Sequence, residues 1–528
     1  MIRRIAFPEH HRELFGALHR LLNEEFTALP DRPPEHRAGA WLVGGYLRDV
    51  LLGRVGDDID LAVDGPATEL ARRFADATGG AFVRLDEATD TARVVWKHTA
   101  GRPLVLDLAR LRAAGISADL RLRDLSINAL ALPLELAVAG EIGSDELIDA
   151  AGGLADLQAQ VLRLCNPNVF VDDPLRTLRT ARLGAQLGFE LLPQTDRALR
   201  AAAALIVQVA HERVRDELWK LLATPRAAPW LAYLDDARLL TAVLPELEAS
   251  RDCAQPPEHF LPVLGHLLET VAAAEWLSAR LGAMAGQTAP ESIRERRRFA
   301  LPEAARVYPL LPAALPFAER LVAGLRENAG GYPRLALLKL GALLHDIGKP
   351  RTRQAHPDGR ITFYGHDDAG AELAADALRR LRFPKDAVAY VRLLVAEHMR
   401  PGQLRGLGSQ LTERAVIRLL RDTGDAAPDV LLLAICDHMA VRGPMLEWDW
   451  WIHHLGWTGA MLEYAWSARR EAHEHRLING DDVLALGVAS GPRIGRVLAA
   501  VREAQDAGEV RTRDEALALA AQLAGAVR

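Results

Sequence analysis

The stretch from residue 41 to residue 64, WLVGGYLRDVLLGRVGDDIDLAVD, constrains the chain more than any other. A short apolar run meets Gly44-Gly45. Residues 46–52 then show helical apolar spacing that stops at Gly53. Paired glycines let a backbone approach a ligand closely, and a helix N-terminus offers unpaired N–H groups to a phosphate. Asp58-Ile59-Asp60-Leu61-Ala62-Val63 alternates as a strand does. Residues two apart on a strand point the same way, so Asp58 and Asp60 project from one face about 7 Å apart. Two carboxylates so spaced suit a pair of Mg²⁺ ions, which lie roughly 4 Å apart in two-metal sites. Phosphoryl or nucleotidyl transfer is the chemistry this spacing suggests. Taken singly, a GG turn and an acidic strand edge are common. Their conjunction, with Arg48-Asp49 on the helix between them, favours a site.

A length of 528 residues allows two to four domains, and 49% apolar with 25% charged residues is ordinary core-forming material. The formal net charge of −6 gives no global basic field, so a nucleic-acid partner must be held by local basic patches. Cys165, Cys253 and Cys436 stand far apart, which makes neither a disulfide framework nor a zinc ribbon. A reducing compartment, the cytoplasm, fits that usage. No apolar run approaches the ~20 residues that span a bilayer. The first residues lack a signal-peptide core. A soluble protein with no membrane partner is therefore expected.

In chain order, residues 12–28 read as an amphipathic helix, followed by a Pro-containing link. Residues 68–78 read as a helix, and strand patterns follow at 81–85, 93–98 and 104–108. Together they indicate a small α/β domain on a mixed sheet. Asp107 falls inside the strand pattern LVLDLARLR. An isolated buried charge is costly, so it either bonds a turn or lines a metal site as a third carboxylate. In DLRLRDLSINALAL, Arg123, Asp124 and Asn128 crowd a helix start. Asp172 and Asp173 precede Pro174, a helix N-terminal signature. Arg176, Arg179 and Arg182 then form a stripe. It is either a solvated face or, with Asp173, an acceptor and donor fork suited to a nucleobase edge.

From about residue 230 the pattern is nearly all helical, and the chemistry lies in His266, His345-Asp346, His366, His398 and Asp437. A lone His on an apolar helix is usually a core residue. Several, one of them a His-Asp doublet within the apolar helix before Gly348, instead suggest a divalent metal held from separate helices. The cluster Arg294, Arg296, Arg297 and Arg298 is either solvated or touches RNA phosphates. Trp448, Trp450, Trp451 and Trp457 read as core or subunit contact. The end of the chain is a helical module, with a helix start at Thr512-Arg513-Asp514-Glu515.

The series Gly44-Gly45-x-x-Arg48-Asp49, Asp58-x-Asp60, Arg123-Asp124-x-x-x-Asn128-Ala129 and Asp173-Pro174-Leu175-Arg176 resembles the bacterial class II tRNA nucleotidyltransferases and poly(A) polymerases. The likeness runs through residues 41–222, and the second half is similar to the HD domain such proteins often carry. The resemblance implies an α+β polymerase-β-like head followed by an all-α neck, HD-type body and tail. Its implied boundaries are an N-terminal helical extension at 1–40, head at 41–145, neck at 146–228, HD-type domain at 229–470 and tail at 471–528. It implies that Asp58 and Asp60 hold two Mg²⁺, with Asp107 as third carboxylate. Gly45 and Arg48 would contact the triphosphate and Arg123 the phosphates or sugar, with Gly44, Asp49, Asp124 and Asn128 also in the nucleotide-binding set. Asp173, Arg176, Arg179 and Arg182 would read CTP or ATP, and an RNA 3′ end, foremost tRNA, would accept the nucleotide. His266, His345, Asp346 and Asp437 would form the HD site for a transition metal. Leu122 replaces a commonly basic residue, Asp172 a Glu, Ser126 a Thr and Leu125 a Phe. CCA addition leads. A-only, CC-only or poly(A) addition, a working HD phosphohydrolase, and an RNA-binding protein with a silent head are the alternatives.

Overall fold

The computed structural model describes residues 5–25, 39–97, 103–139, 141–287, 311, 315, 317–406, 413–442, 448–474, 477–489, 491–506 and 509–525. The basic cluster at 294–298 lies outside them, as do the side chains of Trp448 and Trp450. The chain forms two compact units, residues 1–209 and 210–528.

The first unit begins with β1 (Ile5–Ala6) and α1 (Glu9–Glu25). α1 starts earlier than its apolar spacing suggests because the Pro8 carbonyl accepts from the His11 and Arg12 N–H groups. There follow β2 (Ala40–Val43), α2 (Gly44–Leu51), β3 (Asp58–Val63), α3 (Ala67–Thr78), β4 (Ala81–Asp86), β5 (Thr91–Trp96) and β6 (Leu104–Arg110). The patterns read at 68–78, 81–85, 93–98 and 104–108 fall on α3, β4, β5 and β6, residue 98 lying outside the described residues. Next come α4 (Ile116–Arg121), β7 (Ala131–Pro133), α5 (Leu134–Ala139), β8 (Glu141–Ile142), α6 (Gly153–Ala159), α7 (Val169–Asp172) and α8 (Leu175–Leu187). The main sheet has the order β4-β5-β6-β3-β2-β7 and is mixed. β3 and β6 run parallel, and the other neighbours are antiparallel.

Alternation along β3 divides its two faces. Ile59, Leu61 and Val63 are buried with Leu106, Leu108, Leu70 and Phe74, which makes the core under α3. On the opposite face Ala62 packs with Val43, Ile116, Leu120, Ala129 and Ala131. Asp58 and Asp60 occupy the open end of that face.

The second unit is helical. The helices Val263–Met284, Arg334–Leu344, His366–Arg380, Lys385–Glu397 and Ala427–Arg442 surround its centre. Trp451 is wholly buried there, as a core residue should be. The terminal helices Gly480–Ala485, Pro492–Asp506 and Arg513–Gly525 close on a core of their own, with Val483, Val501 and Ala516 at its heart. The sequence pattern placed His345-Asp346 inside an apolar helix. The structure corrects this: the helix ends at Leu344, with His345 as its cap and Asp346 just beyond.

A buried ion pair ties the second unit together. Lys339 Nζ lies 2.9 Å from Glu275 Oε1 and 2.6 Å from the Thr224 carbonyl. The same Glu275 oxygen accepts from the N–H groups of Ala227 and Ala228. Removing one partner of such a pair strands the other, at a cost of about 3–5 kcal/mol. Lys339→Met should therefore lower the thermal midpoint of this unit sharply. Lys339→Met combined with Glu275→Gln should recover part of the loss, as read by calorimetry.

Candidate active site

The in-register pairing of β3 with β6 sets Asp60 directly beside Asp107. Neighbouring strands lie about 4.8 Å apart, so two carboxylates on one face are close. The antiparallel pairing of β5 places Arg93 opposite Asp107 on the other side. Arg93 clamps Asp107 with Nε to Oδ1 at 2.7 Å and Nη2 to Oδ2 at 2.8 Å. The Gly45 N–H donates to Asp60 Oδ2 at 3.1 Å. Gly44 sits at φ +70°, and a Cβ there would stand 2.8 Å from the same oxygen. The glycine pair thus brings the chain close against the Asp60 carboxylate.

Burial pushes the Asp60 carboxyl up, and the neighbouring Asp107 pushes it further, against partial relief from Arg123 and Arg179. A carboxylate strained in this way is relieved by a divalent cation. Asp58, exposed on the same face two residues away, completes an oxygen-only donor pair. These residues fit a hard metal ion. Asp107 differs, because both its oxygens already carry an Arg93 hydrogen bond.

Beside the carboxylates is a cavity of about 350 Å³, lined by Arg123, Asp124, Asp173, Arg176 and Arg179 among others. Asp124 is buried and accepts from the Leu125 N–H and from Asn128 Nδ2, while Arg179 Nε lies 3.1 Å from its other oxygen. Burial alone would raise Asp124, but Arg179, Asn128 and the Leu125 N–H outweigh it and hold it at about 2. Arg176 Nε lies 3.9 Å from Asp173. Arg123 reaches the buried Asp119, which Arg112 also grips. Arg182 takes no part in this lining; it donates to Gln186 at 2.9 Å. Arg48 is buried, with Nη1 on Asn128 Oδ1 at 2.7 Å and a bidentate hold on Asp49. It braces α2 against the turn at Ser126–Asn128 rather than lying open to a phosphate.

In the second unit a carboxylate stands between two sets of histidines. Asp346 Oδ2 lies 3.3 Å from the Nε2 atoms of His266 and His345, and Oδ1 lies 3.2 Å from His366 and 3.5 Å from His398. Asp437 Oδ1 is 3.1 Å from His266 and 3.5 Å from His345. Among the described residues the buried Nε2 atoms of His366 and His398 have no partner other than Asp346 Oδ1. Two overlapping groups, His266–His345–Asp346 and Asp346–His366–His398, each have ligand atoms within 4.8 Å of one another. Burial raises Asp346, but Lys349, 2.6 Å away, and the histidines hold it well below the usual carboxylate range. Imidazoles and carboxylates converging on one point fit a transition metal. A cavity of about 610 Å³ opens onto them.

Sequence reasoning gathered the paired carboxylates, Asp124 with Asn128 and the HD doublet. It missed Arg93, Arg112 and Asp119; it read His366 and His398 among the histidines holding a metal, though not in the HD set that the resemblance implies. Arg93 faces Asp107 only through strand register, which no local pattern reveals. The spacing of His366 and His398 is set by helix packing.

The glycine-led helix and the carboxylates on adjacent parallel strands define a nucleotidyltransferase head, here followed by a helical body with a histidine–aspartate centre. Comparison with known families agrees. Residues 40–163 match the poly A polymerase head domain, 188–250 the probable RNA and SrmB-binding site of polymerase A, and 317–440 the HD domain. The A-adding tRNA nucleotidyltransferase of Deinococcus radiodurans is 35% identical over 501 residues, covering 93% of this chain and 96% of that one. The CC-adding tRNA nucleotidyltransferase of Thermus thermophilus is 33% identical over 492 residues, covering 91% and 92%. The chain belongs to the tRNA nucleotidyltransferase family. Among solved structures, the Thermotoga maritima CCA-adding enzyme complexed with tRNA shares the fold, with a TM-score of 0.56, 21% identity, and coverage of 98% of this chain and 99% of that one.

Gly44→Ala should test the backbone's grip on Asp60. The added Cβ meets Oδ2 in a backbone conformation that L side chains avoid. A displacement of about 1 Å at a reacting centre costs on the order of 10²-fold in rate. Steady-state nucleotide incorporation should fall by at least that factor, with the far-ultraviolet circular dichroism unchanged.

Proposed function

We propose that this chain adds nucleotides from CTP and ATP to the 3′ end of tRNA without a template, completing CCA. The observation that carries this reading is the Asp58–Asp60–Asp107 face beside a cavity lined by guanidinium groups. In the reaction the RNA 3′-oxygen forms a bond to the α-phosphorus, its proton leaves, and pyrophosphate departs. Mg²⁺ held by Asp58 and Asp60 would supply the lowered hydroxyl pKa and the neutralisation of charge on the leaving group. Asp107, fixed by Arg93, faces the same space. Gly44 and Gly45 hold Asp60, while Arg48, Asp49 and Asn128 keep the helix and turn around the site rigid. Arg123 offers donors to the phosphates or sugar. Asp173, Arg176 and Arg179 present acceptor and donors to the base, and Asp124 aims Arg179. Arg182 stands on the same helix outside this set.

The domain boundaries inferred from sequence remain part of this proposal, as does a cytoplasmic location. Among the described residues no helix is long and apolar enough to cross a membrane, and Cys165, Cys253 and Cys436 are free.

A second reading, addition of only A or only CC, is favoured by the names of the two relatives above. Three tRNA substrates decide between the readings: one lacking the terminal A, one lacking CA and one lacking CCA, each given CTP, ATP or both. Complete CCA synthesis is expected. Incorporation of ATP alone or CTP alone assigns a partial adder, and no incorporation rejects the proposal. Asp60→Ala should lose at least about 10³-fold of the activity, as expected when metal-borne charge stabilisation is lost.

The histidine–aspartate centre supports a second activity, metal-dependent hydrolysis of a phosphoester. His266, His345, Asp346 and Asp437 would hold a transition metal, with His366 and His398 placed to hold a neighbouring one through Asp346. The paired variant His345→Ala, Asp346→Ala should lose bound transition metal and bis-p-nitrophenyl phosphate hydrolysis while tRNA extension persists. Unchanged metal content would mean that the centre is purely structural.

A further inference from the structure

The first turn of α1 carries His10 and His11, and His11 lies against Tyr46, in the first turn of α2. His11 is wholly buried. Its ring lies among Phe15 and Tyr46, with centroids 6.2 and 5.7 Å away. A phenylalanine would fill such a place without a polar cost. Instead, His11 Nδ1 lies 2.9 Å from the Tyr46 hydroxyl, and its buried Nε2 has no hydrogen-bond partner among the described residues. One ligand atom each from His10, His11 and Asp57 lie within 4.8 Å of one another.

The details fit a ligand role. A metal-bound histidine commonly donates its second ring N–H to a fixed oxygen, which sets the tautomer. A His11 tautomer that donates Nδ1–H to the Tyr46 hydroxyl would leave its Nε2 lone pair for an ion. His10 and Asp57 are exposed. Around an ion bound at about 2.0–2.2 Å, the three atoms would draw together to roughly 3.5 Å.

We propose that His10, His11 and Asp57 bind a divalent transition-metal ion of the zinc type, at a site separate from both the Asp58–Asp60 carboxylates and the HD centre. Two imidazoles and one carboxylate suit Zn²⁺ far better than Mg²⁺, and leave a coordination position for water. The ion clasps α1 to the segment leading into β3. There the Asp57 carbonyl already accepts from the Val105 N–H at 2.8 Å. The site goes beyond the proposed reactions, because it touches the catalytic strand only at its entry.

The test uses the full chain. Protein stripped with chelator is reloaded with ZnCl₂ in excess Mg²⁺, desalted, and its zinc counted per chain by elemental analysis. Wild type should retain one more equivalent than His10→Gln and than Asp57→Asn, both changes at exposed positions that leave the aromatic core intact. Zinc bound at the HD centre is common to all three and cancels. In the Co²⁺-loaded proteins, the visible band of the additional site should be missing from both variants. Equal zinc in all three proteins, or identical cobalt spectra, would overturn the proposal.

Discussion

The parallel register of β3 on β6 is the constraint on which the acidic face depends. Pairing runs without a slip from Asp58 opposite Val105 to Val63 opposite Arg110. Shifting either strand by one residue would send its acids into the core and its aliphatics into the cleft. The apolar residues Ile59, Leu61, Leu106 and Leu108 therefore do more than stabilise. By requiring burial on the far face, they hold Asp60 and Asp107 together on the near one. The hydrophobic effect thus assembles what Coulomb repulsion alone would separate.

Charge concentrated this way needs counter-charge, and the head supplies it residue by residue. Arg93 holds Asp107, Arg112 and Arg123 share Asp119, and Arg179 holds Asp124. Each pairing fixes a guanidinium that would otherwise sweep through many rotamers. The lining of the cavity is therefore ordered before any ligand arrives. Discrimination between bases by protein groups alone requires donors already in place, because ordering them at binding would consume the difference in affinity.

What could be read from the sequence was what is local. The glycine pair, the alternating acids, the strands around them and the Asp-Pro helix start at 173–174 each declare themselves within a few residues. Asp107 stood out as a charge inside an apolar strand. What escaped depends on long separations. The Arg48 hydrogen bond from Nη1 to Asn128, 80 residues further along, is one such contact. The Arg93–Asp107 clamp needs antiparallel register. His345-Asp346 looked helical because the apolar run continues into it, but the helix stops at Leu344 and frees the Asp346 oxygens to face two directions.

The two acidic centres also differ in how they tolerate burial, and this bears on which ions each would take. In the head, the carboxylates are balanced by guanidinium groups, which cannot ligate a metal, so only oxygen donors remain open. In the body, Asp346 is balanced by Lys349 and by imidazoles, which can ligate one. An oxygen-only site suits a hard ion that keeps much of its water, whereas a nitrogen-rich one suits a borderline transition metal. Guanidinium in one centre and imidazole in the other would thus keep two metal chemistries apart on a single chain without any difference in the carboxylates themselves.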